Sequence, residues 1–545
     1  MRPFHRLIAL AVAAAALTVG SLSQAASGPT VDAPAGAATG SLEGGVRVFK
    51  GLPYALPPVG AARWTPPKAL ARWDGNRDAT KFGPACMQLH SGPGNIYAND
   101  PAAMSEDCLT LNVWTPANAS KAPVLVWIHG GALSGGYSHE AIYNGAKFAQ
   151  RGVIVVSINY RLGVLGYLAH PGLSAESPQG VSGNYGLLDQ IEALRWVQRN
   201  IEAFGGDPSN VTIAGESAGD LSVMYLMASP AARGLFHKAI AESAYMISTP
   251  ELKQARYGAL SAEDAGAALG ATLKAPDIAA LRAMDADKLV KGAAAARFAP
   301  FAAVDGQVLP RQLVDTFDKG EQAPVPILTG FNSGEIRSLR MLAPQPPTSS
   351  AAYEKTIRDQ YLDLADAYLR LYPSASMENS IVAATRDGLY GWTSERLVRK
   401  QTALGQPAFL YIFDHGYAAA DGMGLHAFHG SELPYVFGTT ARTPPYWPKS
   451  PPTTAEAKLS DAMIDYWTSF AITGQPKAAG QPDWLAFGQQ HLFMAFTDGP
   501  HLGANLFPGM YELHEEAVCR RRAWNAGWNW NVGLWSPPLP AKACN

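Results

Sequence analysis

The stretch from Gly205 to Asp220, GGDPSNVTIAGESAGD, constrains the fold of this chain more than any other. Val211 to Ala214 is a short apolar run with β-branched residues and reads as a buried strand. It stops at Gly215, and a helix-forming segment, Leu221 to Met227, begins four residues after Ser217. Strand, tight corner, helix is the context in which G-x-S-x-G marks a nucleophile elbow. The corner forces Ser217 into strained backbone geometry and turns its Oγ outward at the top of a sheet. Gly215 and Gly219 are expected where a side chain would strike the neighbouring strand or helix.

From Asn184-Tyr185-Gly186-Leu187-Leu188-Asp189-Gln190 through Trp196-Val197 and Asn200-Ile201 to Gly215-Glu216-Ser217-Ala218-Gly219, the chain closely resembles the type-B carboxylesterases. These are the carboxylesterases, cholinesterases and para-nitrobenzyl esterases of the α/β-hydrolase fold, and weaker matches run from about residue 40 to about 485. The resemblance implies an α/β architecture, a large mostly parallel sheet flanked by helices, with helical insertions over the site. Apolar runs at Pro123–Ile128, Val153–Ile158, 324–329 and Phe409–Phe413 alternate with helical patterns, which independently predicts a parallel sheet covered on both faces. Leu459 to Ala471 reads as an amphipathic helix. Residues 250 to 300 and 341 to 400 carry helical periodicity and read as insertions roofing the sheet.

A serine hydroxyl needs a base to take its proton and an acid to orient that base. In this fold the acid follows the nucleophile in sequence and the histidine comes last. Gly330-Phe331-Asn332-Ser333-Gly334-Glu335 follows a predicted strand and resembles the family's acid loop, so Glu335 is the expected acid, although Ile336 stands where the family usually has glycine. Asp305 precedes that strand and reads as a turn residue. His429, in Phe428-His429-Gly430-Ser431-Glu432, matches the family's histidine loop, whereas His426 lacks the following glycine and glutamate. By the same resemblance the backbone N–H groups of Gly131, Ala132 and Ala218 form an oxyanion hole. Glu216 and Glu432 are expected near the histidine, one of them with a raised pKa, and Ser222 in the surrounding shell. Asp220 is unusual for the family; a helix-dipole role in the first turn is the default reading, a polar group at the pocket floor the alternative. The resemblance implies that a choline-binding relative carries a tryptophan in the loop between Cys86 and Cys108; this loop has none, Tyr97 being its only Phe, Trp or Tyr, which argues against a choline ester.

Composition narrows the class further. Hydrophobic residues make up 47% and charged residues 16%, with a formal net charge of −2, so there is no basic footprint for nucleic acid. Residues 1–25 read as a signal peptide: Arg2 and Arg6, an apolar run from Leu7 to Val19, and a small-x-small cleavage site at Ser23-Gln24-Ala25. That run is too short for a stable membrane anchor. Residues 26–40 read as a flexible leader and 41–545 as a single domain. In an exported chain four cysteines point to two disulfides; the local pairs are Cys86–Cys108 and Cys519–Cys544, though spacing alone leaves three pairings open. The tail from about 505 departs from the family pattern and gathers Trp524, Trp528, Trp530 and Trp535, readable as a surface clasp, a dimer contact or a substrate-facing flap. Two ion pairs are expected from the resemblance, Arg63 with Asp189 and Glu106 with Arg161.

The expectation is an exported serine carboxylic-ester hydrolase, secreted or periplasmic, working through an acyl-enzyme on a small ester, with no metal or organic cofactor. The alternatives are an inactive relative serving in binding or adhesion, and an amidase or lactonase on the same fold.

Overall fold

The apolar runs become the parallel heart of one sheet in the computed structural model, which describes residues 28–545 apart from 93, 542, 543 and 545. The predicted signal peptide lies outside the described residues. The sheet has eleven strands: β1 Ser41–Glu43, β2 Val46–Pro53, β3 Thr110–Pro116, β4 Ala122–Ile128, β5 Ile154–Ile158, β6 Gly206–Glu216, β7 Lys238–Glu242, β8 Ile327–Asn332, β9 Ala408–Phe413, β10 Leu492–Phe496 and β11 Pro500–Ala504. Their spatial order is β11-β10-β9-β8-β7-β6-β4-β5-β3-β2-β1. Strands β4 to β10 pair in parallel, and antiparallel pairs close the two ends. Strands buried on both faces need no polar alternation, which is why β4, β5 and β9 read as continuous apolar runs.

Two helices matter most for the site. Helix α1, Tyr185–Asn200, packs beside the sheet, and α2, Ala218–Ala228, leaves the top of β6 and is buried along its whole length. The 250–300 insertion folds as Ala262–Thr272, Ile278–Ala283 and Ala286–Ala295, each started by an N-cap side chain, Ser261, Asp277 or Asp285. Leu269, Leu281 and Leu289 of these helices pack with Trp64 and Leu168 in a satellite core. The second insertion holds Ser350–Tyr361, Ala365–Leu371, Met377–Arg386 and Trp392–Ala403, the last two joined by a π-helical turn over Asp387–Gly391. The amphipathic helix foreseen at 459–471 spans Thr454–Thr473. The tail begins with α3, Met510–Ala523.

Two expectations need correction. The stretch 26–40 is no mobile leader over its described part: Thr30–Ala33 and Gly36–Thr39 pair as an antiparallel hairpin, and Val31, Ala33 and Ala38 are buried in the main core. Small apolar side chains pack against the core there, so an Ala/Gly/Pro-rich composition did not mean lack of burial. The ion pairs are exchanged. Arg63 meets Glu106 at 2.6 Å and Arg161 meets Asp189 at 2.7 Å. Asp189 also accepts the Arg161 backbone N–H at 3.0 Å, which commits its carboxylate to that loop. Arg63 spends its remaining donors on the carbonyls of Arg282 and Met284. The four residue types were right and the partners wrong.

The cysteines pair locally, Cys86 with Cys108 and Cys519 with Cys544, at Cα separations of 5.0 and 6.1 Å. Asp305 is a turn residue as expected, its Oδ1 accepting the N–H groups of Gln307, Val308 and Leu309.

Candidate active site

The elbow forms where β6 meets α2. Ser217 adopts φ 57° and ψ −118°, a left-handed conformation that costs a non-glycine residue of order 1–3 kcal/mol and is tolerated here because strand and helix fix both ends. The flanking glycines are steric necessities. A Cβ on Gly219 would lie 2.1 Å from the Ile128 carbonyl oxygen, and one on Gly215 would lie 2.4 Å from the backbone of Gly219. Strand β4, corner and helix can approach this closely only without those side chains.

Glu335 opens a short helical turn after β8 and is fully buried. Its Oε2 accepts from His429 Nδ1, while Oε1 accepts from the Asn332 backbone N–H at 2.8 Å and from Ser243 Oγ at 2.7 Å. With Nδ1 committed to Glu335, Nε2 is the nitrogen left to work in the cavity. That cavity, about 710 Å³, is lined by both Ser217 and His429. No hydrogen bond joins Ser217 Oγ to His429 among the described residues; Nε2 lies instead 3.1 Å from Glu216 Oε1. His426 sits elsewhere, paired with Asp414 and Asp421 toward the surface.

Gly131 and Ala132 border the same cavity, and Ala218 starts α2. None of their three N–H groups meets a protein acceptor among the described residues. Ala132 and Leu133 both adopt positive φ, 54° and 56°, so this loop is held in a strained form that keeps its amides free.

Buried carboxylates crowd around Glu216. Burial pushes Glu216 up to about 7, with His429 opposing and Glu335 reinforcing. Burial likewise raises Glu242 to about 8, and drives Glu432 and Asp220 well above the usual carboxylate range. Asn332 Nδ2 donates to Glu432, and Trp467 Nε1 donates to Glu242. Both oxygens of Asp220 are buried without a partner among the described residues. Asp220 does occupy the first turn of α2, and its burial disfavours the charged form through which a carboxylate would complement the helix dipole. His429 feels the opposite balance. Burial lowers its pKa, but the charges of Glu216 and then Glu335 overcome that and raise it to about 9. Ser222 turns away from the cavity, accepting from Gln190 at 3.0 Å and donating to the Ala218 carbonyl.

Several residues in or next to the site carry parts that the sequence did not assign. Tyr390, on the π-helical turn, lies with its ring 5.5 Å from that of His429. Glu140 lines the cavity and is pushed by burial up to about 7. Tyr97 packs edge-on against Trp447, and its hydroxyl lies 2.9 Å from the His429 carbonyl oxygen. Ser243, which steadies Glu335, sits at φ 57° just past β7. Tyr390, Glu140 and Ser243 carry no local signature, and the part of Tyr97, singled out in sequence only as its loop's aromatic, becomes legible only when distant segments meet. Trp530 of the tail also lines the cavity.

A parallel sheet with a serine at the β6–α2 corner, and a histidine held by a buried glutamate beside it, defines an α/β-hydrolase. Residues 27–509 match the Carboxylesterase family, and the chain belongs to that family; it is a carboxylic-ester hydrolase. It is 38% identical to the fumonisin B1 esterase of Sphingopyxis macrogoltabida over 84% of each chain. It is 35% identical to the para-nitrobenzyl esterase of Bacillus subtilis, over 84% of this chain and 92% of that one. Among solved structures, a PNB esterase superposes with a TM-score of 0.77 at 32% identity, covering 89% of this chain and 99% of that one. A Geobacillus stearothermophilus carboxylesterase gives 0.72 at 31%, with the same coverage.

Proposed function

We propose that Ser217, His429 and Glu335 are the catalytic triad of this esterase, and that it hydrolyses uncharged carboxylic esters through an acyl-enzyme. The observation that carries this reading is the buried Glu335–His429 Nδ1 hydrogen bond on the wall of the cavity that holds the strained Ser217. Nε2 takes the Ser217 proton as Oγ attacks the ester carbonyl, and Glu335 stabilises the imidazolium that forms. The oxyanion is met by the N–H groups of Gly131, Ala132 and Ala218. The imidazolium returns its proton to the leaving alcohol, and a water, activated by the same Nε2, releases the acid from the acyl-enzyme.

The wall chemistry supports the preference for uncharged esters. Among the described lining residues the ionisable groups are His90, Glu140, Glu216 and His429 with tyrosines, and there is no lysine or arginine to pair with an anionic substrate. The two disulfides support an oxidising destination, consistent with cleavage of an export signal near Ala25. A burst of p-nitrophenol from p-nitrophenyl acetate, with a fluorophosphonate adduct mapped to Ser217, is the expected result. An adduct on another residue would overturn the triad. N-terminal sequencing of the exported protein tests the cleavage site.

A further inference from the structure

We propose that Trp530, carried on the C-terminal tail, is a specificity-determining residue. It forms the remote wall of the cavity and favours esters bearing an aryl group several bonds from the scissile carbonyl. The proposal rests on the ester-hydrolase reading above.

Residues 510–545 lie beyond the segment matched by the family, so no family motif assigns them a role. The tail nonetheless returns to the cavity along a defined path. Cys544 is tied to Cys519 on α3, and Trp530 falls between the two ends of this closed loop. On one side of Trp530, Trp528 is 2% exposed; its Nε1 donates to the Met246 carbonyl at 3.1 Å and its own carbonyl accepts from Ser248 N at 2.8 Å. On the other side, the buried Arg521 guanidinium donates to the Asn531 carbonyl at 2.8 Å and to Ser536 Oγ at 2.6 Å. The Gly533 N–H reaches Tyr361 OH at 3.0 Å. Residue 530 is therefore fixed from both flanks, which is what a side chain needs in order to read a substrate.

A row of rings then connects it to the reacting centre. The Trp530 ring centroid lies 5.6 Å from that of Tyr245, Tyr245 lies 6.1 Å from Tyr390, and Tyr390 lies 5.5 Å from His429. All four residues line the cavity. Trp530 is linked to the imidazole only through two intervening rings, so the proposal sets it against the part of a substrate that lies beyond the group at the scissile carbonyl. The neighbouring tryptophans differ in kind. Trp528 is a buried anchor, and Trp524 and Trp535 stand 65% and 47% exposed outside the cavity. Trp530 is partly buried and lines the cavity, and an aromatic ring bordering a mostly apolar space selects another ring by stacking or edge contact.

The test compares Trp530→Ala, Trp530→Phe and, as control, Trp535→Ala on three esters. These are p-nitrophenyl acetate, p-nitrophenyl phenylbutanoate with the arene on the acyl side, and phenylpropyl acetate with the arene on the alcohol side. Trp530→Ala is expected to lower kcat/KM for at least one arene ester about tenfold relative to p-nitrophenyl acetate. Trp530→Phe should keep that ratio within about threefold and Trp535→Ala should leave it unchanged. The affected ester tells which side of the substrate lies on the wall. An unchanged ratio in Trp530→Ala, or a parallel loss on all three esters in both Trp530 variants, overturns the proposal. Failure of the wild type to hydrolyse any of the three overturns the esterase reading, and this inference with it.

Discussion

Replacing Glu216 by glutamine removes a negative charge 3.1 Å from His429 Nε2 while keeping the shape of the side chain. At that distance Coulomb's law gives about 5 kcal/mol at an effective dielectric near 20 and about 1.3 kcal/mol in bulk water. Part of the larger figure is cancelled by the cost of burying Glu216 itself, which the rise of its own pKa to about 7 makes visible. A nearby opposite charge moves a pKa by roughly 1–3 units, so a change of about 2 units, near 2.7 kcal/mol, is expected. The direction follows from the sign of the charge. The anion favours the imidazolium and helps hold His429 near 9, so its removal lowers the pKa and frees the base at lower pH. The acid limb of kcat/KM should therefore lie on the alkaline side of neutrality in the wild type and move down by about 2 units in Glu216→Gln. Glu216 and His429 titrate as a pair, so the quantity to compare is the apparent pKa of that limb. The plateau should fall as well, since the same anion steadies the imidazolium formed during attack. A pH-stat assay of phenyl acetate hydrolysis reads both quantities. A limb that stays in place, or moves to higher pH, would refute the reasoning.

Ser217→Ala is expected to cost on the order of 10⁴-fold or more in kcat and to leave thermal unfolding unimpaired, checked by p-nitrophenyl ester assay and calorimetry. His429→Ala should be about as damaging, because the two residues act as a unit, whereas His426→Ala should retain most activity; reversed phenotypes would move the base. Asp189→Ala leaves Arg161 buried without its partner and should destabilise by about 3–5 kcal/mol in urea titration, while the double change Asp189→Leu with Arg161→Met should recover much of that. Non-reducing peptide mapping should return only the 86–108 and 519–544 pairs.

The elbow was legible in sequence because it is a local object, and the acid and histidine loops were read from their resemblance to the family's. A β-branched run ending in G-x-S-x-G can make one kind of corner, and Gly215 and Gly219 are there because backbone atoms pass within about 2 Å of where their side chains would be. The parallel strands were legible for a similar reason, since burial on both faces leaves unbroken apolar runs. The identities of the buried charges were equally readable, but Arg63 and Arg161 took each other's expected partners. Pairing depends on which loop a carboxylate leans toward, and that is settled by packing among segments far apart in the chain. The carboxylate cluster was legible in part: Glu216 and Glu432 were expected near the histidine from the resemblance, whereas Glu242 joins them only because β7 pairs beside β6. Tyr390 on its π-helical turn and Trp530 on its tail have no periodicity or motif to announce them. Backbone preference and hydrophobic patterning act over a few residues and can be read along a line. Desolvation, ion pairing and the shape of a cavity depend on what the fold places within a few ångströms, and here only the tertiary structure decided them.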